Sequence, residues 1–466
     1  MSETSRFFYL LFICFVAALG GFLFGFDTGV VSGLTQSVET QFELTPFWKG
    51  WFVSSVLVGC ILGASMAGIA SDRFGRKAVL LFSGLLFFFT SLGCGYPPNL
   101  FWLVIFRLVG GIGVGVASMV APLYISEMSP PKLRGRLVTL FQLAVCFGVF
   151  ASYASNTLIH KLPEKLPALF APAALNFIFV AENWRGMFLM ECLPAAVYFL
   201  MILFVPESPR WWAARGEDEK ALDTLRKILG EEEARLEMRE IRAVLNQKTG
   251  KFSELFSTKL GRGLIIGMLL MFFSQVTGIN VMVYFGTENF SEIGFSKTFS
   301  FYLQTVVGLA NIGFTILAIC TIDRWGRKPL LKIGTCVIFC TLTLIAALFY
   351  LKSHGGNETL LLWLFPVLNV LFIAAFAMSW GPIPWVIVSE IFPARIRGRA
   401  ASVGTMTIWI SCFLVVQTFP LIKDIAPEIC FAIYAAFMIP AIFFVWFMVP
   451  ETKGVSLEEL EKELYS

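Results

Sequence analysis

One six-residue cassette occurs twice in this chain, DRFGRK at 72 to 77 and DRWGRK at 323 to 328, each time between two long apolar segments. A second pair, EMSPPKLRGR at 127 to 136 and EIFPARIRGR at 390 to 399, aligns without a gap and sets Glu127 over Glu390 and Arg134 over Arg397. VPES at 205 to 208 and VPET at 449 to 452 close the two copies. The repeated unit is about half the chain, far longer than a solenoid repeat. The fold is therefore expected to be two copies of one apolar half.

The solvent of those halves follows from composition. Hydrophobic residues make up 57% of the chain and charged ones 15%, against roughly 45 to 50% and about 25% in soluble domains. Mean hydropathy is +0.76. The 49 Phe and 12 Trp suit lipid-facing helix surfaces and interfacial belts. A membrane helix takes about 20 mostly apolar residues. Such runs lie near 7 to 33, 48 to 70, 78 to 96, 100 to 125, 138 to 159 and 185 to 205, then near 263 to 287, 299 to 322, 330 to 351, 361 to 388, 400 to 421 and 429 to 449. The expected fold class is an all-α membrane protein with twelve transmembrane helices in two pseudo-symmetric six-helix halves. The first run carries Asp27 rather than a small-residue cleavage site, so it reads as a span and not a leader.

Short loops rich in Lys and Arg face the cytoplasm. One side holds Arg6, Arg73, Arg76, Lys77, Lys132, Arg134, Arg136 and their second-half counterparts, while the other holds only Lys49, Lys161, Lys165, Lys297, Lys352 and Lys423. Both termini are predicted inside. The domain reading is a first half at 1–206, a cytoplasmic linker at 207–262, a second half at 263–450 and a cytoplasmic tail at 451–466. Leu222, Leu225, Ile228 and Leu229 give the linker a helical apolar face.

Several chemistries are disfavoured. No GxxxxGK[ST] occurs, which argues against ATP-driven work. The ten Cys stand singly in apolar stretches, and His160 and His354 are the only histidines. Neither a metal centre nor a cofactor is expected, and the chain does not read as an enzyme.

Three ionisable residues lie well inside the spans: Asp27, Arg107 and Glu191. Each costs about 2.5 to 3.5 kcal/mol at a helix centre, so they are expected to face a cavity or one another. Ionised together they sum to minus one, and one proton brings them to zero. The proton affinity of Asp27 would depend on its burial and on its distance from Arg107, linking protonation to conformation. The alternative is a structural Arg107–Glu191 pair with Asp27 as a hydrated helix-end charge.

The cassettes and the motifs GGFLFGFDTGVVSG at 20 to 33, RLVGGIGVG at 107 to 115, PLYISEMSP at 122 to 130, PESPRWW at 206 to 212, QVTGINVMVYF at 275 to 285, SWGPIPWVIVSEIFP at 379 to 393 and PETKG at 450 to 454 resemble the sugar porter family of the major facilitator superfamily, most nearly its bacterial proton-coupled xylose and galactose symporters. The resemblance covers nearly the whole chain. It implies a major facilitator fold whose central sugar site opens alternately to each side, in a bacterial inner or plasma membrane. The implied partners are a monosaccharide, a proton and the lipid bilayer, with no nucleic acid, in a protein that works as a monomer. Asp27, Arg107 and Glu191 match the family's proton-coupling positions.

Sugars need planar groups over their C–H faces and amides that meet hydroxyls as donor and acceptor. The resemblance places Gln142, Gln275, Asn280, Asn311 and Trp380 at such positions, the alternative for the amides being bonds between helices. Phe24, Tyr284, Phe285, Trp385 and Trp409 are candidate aromatic walls or gates, or packing. Where the xylose symporter has glutamines, this chain has Ser274, Ile408 and Val149. The resemblance also implies a cytoplasmic ion-pair network of Arg76, Glu127, Arg134, Arg136, Arg327, Glu390, Arg397 and Arg399, which would otherwise be topology signals alone. Gly381, Pro382 and Pro384 are expected to break helix ten, and Gly110 to Gly115 to allow close helix contact rather than bind phosphate. The function expected is import of a monosaccharide with a proton. A facilitative carrier and a transporter-like receptor remain as alternatives.

Overall fold

A backbone crossing lipid finds no water to bond, so each apolar run closes its hydrogen bonds within itself as a helix. The computed structural model of the chain describes residues 2–165, 176–245, 254–255, 258–355, 358–392 and 396–453. Among them are twelve helices long and apolar enough to span a membrane, and no strand.

The first half comprises α1 (Glu3–Phe42), α2 (Pro46–Phe74), α3 (Arg76–Gly95), α4 (Leu100–Met128), α5 (Pro131–Lys165), α6 (Asn183–Leu189) and α7 (Cys192–Ile202). The linker folds as α8 (Pro209–Ala214), α9 (Asp218–Leu229) and α10 (Glu231–Leu245). Ala221, Leu225, Ala234, Met238 and Ile241 pack together there, with the predicted Leu222 and Leu229 partly buried against them. The second half comprises α11 (Thr258–Val276), α12 (Ile279–Tyr284), α13 (Gly286–Ile293), α14 (Lys297–Trp325), α15 (Arg327–Ser353), α16 (Glu358–Met378), α17 (Ile383–Ile391), α18 (Arg397–Ile425) and α19 (Pro427–Phe447).

Three spans are broken. The tenth stops at Met378 and restarts at Ile383 across Gly381 and Pro382, as those residues predict. The seventh breaks at Gly278, whose φ of +81° puts it in the left-handed region, and the sixth breaks just before Cys192, which leaves Glu191 at the start of α7. Neither of these two was anticipated. The first span also runs well past its predicted end at 33.

By contact the chain forms two compact units. One holds Met1–Asp27, Val58–Val149 and Phe188–Thr249; the other holds Thr28–Leu57, Phe150–Met187 and Gly250–Ser466. These units are not the sequence halves, because parts of α1, α2 and α5 group with the second-half helices.

Small residues let helices meet within the first unit. A Cβ built on Gly59 or Gly63 of α2 would strike the carbonyls of Leu108 or Ile112 on α4, and one on Gly115 would strike Cys60. Gly25 of α1 and Gly148 of α5 face Val145 and Phe22 in the same way. Such backbone approach supplies packing that lipid, being as apolar as leucine, cannot drive.

Candidate functional site

The three charged residues Asp27, Arg107 and Glu191 come together in the first unit. An Arg107 N–H donates to Asp27 Oδ1 at 2.6 Å, and the guanidinium lies 5.9 Å over the Phe188 ring. Arg107 and Glu191 are only 1% and 2% exposed. Glu191 Oε2 accepts from the Ser91 hydroxyl at 2.9 Å, and its Oε1 has no hydrogen-bond partner among the described residues. Asp27, Arg107 and Glu191 line one cavity of about 10 Å³ with Thr90, Ser91 and Cys94, room for roughly one water. Two carboxylates and one guanidinium in so small a space leave one acid without a cation of its own, and a single proton would neutralise the set.

The polar residues of the broken seventh span line up in the second unit. Asn280 donates to Gln275 Oε1 at 2.6 Å, Gln275 to Ser274 Oγ at 3.3 Å, and Ser274 to the Trp380 carbonyl at 3.2 Å. The left-handed turn at Gly278 brings Asn280 back towards Gln275. Trp380 does not present its ring to open space: it is 0% exposed and its indole N–H donates to Thr335 at 3.0 Å. Trp385 on α17 is the exposed indole of the pair, at 41%. Tyr284, Phe285 and Trp409 are buried, with Phe285 and Phe419 ring centroids 4.8 Å apart. Asn311 on α14 is half-buried. Gln142 on α5 and Phe24 on α1 belong to the first unit, and Gln142 reaches Cys146 Sγ at 3.9 Å.

At the cassette ends each unit repeats one construction. Arg76 grips Glu127 with two bonds of 2.9 and 3.0 Å, and Ser208 donates to the same carboxylate at 2.5 Å. In the second unit Arg327 bonds Glu390 at 3.0 Å, and Thr452 donates to that carboxylate as well. Arg134 bonds the Ser126 carbonyl at 3.0 Å and pairs with Glu237 at 3.5 Å. Arg136 is exposed and Arg399 half-buried, while the Arg397 side chain lies outside the described residues, as does most of the predicted 451–466 tail.

Four residues with clear work had no role in the sequence reading. Glu207 accepts from the Arg76 and Lys77 N–H groups at 2.9 and 3.0 Å, and Glu451 accepts from those of Arg327 and Lys328 at 3.1 and 3.0 Å. Each carboxylate caps the helix that its cassette opens, where free N–H groups and the helix dipole favour an anion. Gly75 and Gly326 have φ of +97° and +88°, and a Cβ on either would crowd the capping carboxylate. Ser208 and Thr452 complete the pattern. The signal was the recurrence of PES and PET with the cassettes.

Twelve helices long and apolar enough to cross a membrane, a charged pair set among them and a duplicated set of helix ends fit a multi-pass membrane transporter. The chain belongs to the sugar (and other) transporter family, whose sequence profile matches residues 13–464. It is 37% identical to the D-xylose-proton symporter of Escherichia coli K12 over 97% of this chain and 95% of that one. It is 36% identical to the arabinose-proton symporter of Bacillus subtilis, with the same coverage of each. Its structure matches the inward-open form of the E. coli xylose transporter XylE with a TM-score of 0.82, at 35% identity, over 98% of this chain and all of that one. The fold is thus the twelve-helix major facilitator fold.

Proposed function

We propose that this chain imports a monosaccharide, a pentose or a hexose, together with a proton by alternating access. The observation that carries the proposal is the 2.6 Å Asp27–Arg107 pair sharing its cavity with the buried Glu191. The proton-coupled xylose and arabinose relatives support it. In this reading Asp27 takes the proton, Arg107 competes with it for the carboxylate, and Glu191 completes the charge balance. Gln275, Asn280 and Ser274 contribute the second half's sugar-facing polar groups, and Gln142 the first half's. The protein works as a monomer in a bacterial inner or plasma membrane. Residues 1–206 and 263–450 form its repeating halves, the 207–262 linker and the tail lie in the cytoplasm, and so do both termini.

The test is Asp27→Asn in proteoliposomes. Uphill, proton-driven uptake should disappear while exchange of labelled against unlabelled sugar persists. With one proton per sugar, about 100 mV supplies about 2.3 kcal/mol, or roughly fifty-fold accumulation by the wild type. Unchanged accumulation by the variant would overturn the assignment. A panel of labelled pentoses and hexoses, with and without a protonophore, identifies the sugar.

A further inference from the structure

Two of the basic residues read from sequence as sparse charges on the side away from the cassettes are buried. Lys49, in the first turn of α2, and Lys423, near the end of α18, are only 7% and 9% exposed. Both ammonium groups converge on one carboxylate oxygen, Glu288 Oε1 on α13, at 2.8 and 2.7 Å. Lys49 also pairs with Glu39, near the end of α1, at 2.7 Å, and Lys423 with Glu292 at 2.9 Å. All five residues belong to the second compact unit. Through them the ends of α1 and α2, which come from the first sequence half, are tied to α13 and α18 from the second.

This is a costly arrangement unless closure itself is its purpose. Two ammonium ions and a carboxylate taken out of water lose hydration worth several kcal/mol each, which their mutual attraction restores only in good geometry. As separate surface charges the same residues would need no partners. The tie is reinforced at the same end by Ser32 Oγ with Thr287 Oγ1 at 2.9 Å and by Ser54 donating to Gln417 at 2.7 Å. A cleft of about 560 Å³ is lined by Lys49, Glu288 and Lys423 together with Glu39, Glu292 and Asp424. Water that reaches this cleft can rehydrate the charges once they part.

We infer that Lys49, Glu288 and Lys423 form an ion-pair latch that holds this end of the transporter shut, and that its release is a step in opening the sugar path to that side. The latch rests on the transport reading and on the orientation proposed above, which places this end outside. Glu288 is its hinge pin because, among the described residues, it alone bonds both lysines.

The experiment compares full-length wild type with Glu288→Gln and Glu288→Asp. Hydrogen–deuterium exchange is followed in purified protein, and sugar uptake in proteoliposomes sorted by orientation. Glu288→Gln should raise amide exchange in segments 28–57, 286–293 and 417–425. It should also lower the KM for sugar offered from the latch side at least about fivefold, because more of the population is then competent there. Glu288→Asp should restore both readouts towards wild type. Lys49→Gln serves as a second variant should Glu288→Gln fold poorly, with the same two readouts expected. Wild-type exchange and KM in every neutralised variant that folds would overturn the latch. A wild type that moves no sugar at all faults the transport reading instead and leaves the exchange data to decide the latch.

Discussion

Glu207 sits over the amino end of α3, with one carboxylate oxygen 2.9 Å from the Arg76 backbone nitrogen, and Glu451 holds the same position over α15 at Arg327, 3.1 Å away. The repeated cassette thus encodes a capped helix start. Its glycine clears room for a carboxylate that arrives from more than a hundred residues further along the chain.

Glu207→Ala removes acceptors from helix N–H groups and should cost about 1 to 2 kcal/mol, in the range of a lost N-cap. Glu451→Ala should cost about the same. The two caps share no residue, so the double variant should show the sum. Thermal unfolding of the purified protein followed by tryptophan fluorescence measures this. A cost well beyond the sum would show that the two ends are coupled.

Arg107→Lys keeps the charge but loses the planar fork that reaches Asp27 while lying over Phe188. Accumulation should fall by about tenfold or more, with sugar exchange less affected. The check is the ratio of internal to external labelled sugar at a set pH gradient. A lysine variant that accumulates like wild type would mean that charge alone suffices.

Ser274→Ala strips the hydroxyl that links Gln275 to the Trp380 carbonyl. A buried polar group left without its partner costs about 1 to 3 kcal/mol. If the array positions sugar-binding groups, the KM for sugar should rise roughly five- to a hundred-fold, with a smaller change in maximal rate. Initial uptake rates measure the split, and a fall in folded yield alone would assign the serine to packing.

Glu288 titrates against opposing forces. Burial pushes its carboxyl up, but the ammonium groups of Lys423 and Lys49 outweigh burial and hold it below the usual carboxylate range. Glu39, Glu292, Asp424 and the Asn289 amide also face this cluster. A carboxyl whose folded value is depressed contributes stability that is fully present above the unfolded value, about 4.3, and is lost as pH falls through the folded value. The gap in melting temperature between wild type and Glu288→Gln should be widest near neutral pH and close below about pH 4. A gap that widens on acidification would contradict the pairing.

The spans were legible because lipid allows a single chain few solutions. That Asp27, Arg107 and Glu191 face one another was legible because ionised groups inside apolar spans are too costly to stand apart. Trp380 shows where that reasoning ends. A motif names the indole but not the direction of its N–H, and folding turned it to Thr335. The breaks at Gly278 and before Cys192 were equally hidden, since apolar periodicity runs through both without a pause.

By itself the sequence determined that this protein spans a membrane twelve times, that its halves repeat, and which three ionisable groups lie within them. Those properties follow from local hydropathy and from the energy of isolated groups in lipid. Only the tertiary structure decided which charges are partners. Lys49 and Lys423 look in sequence like any solvated loop lysines, and their common hold on Glu288 depends on distances across three helices. Coulomb energy falls with separation and with water, and the chain order records neither.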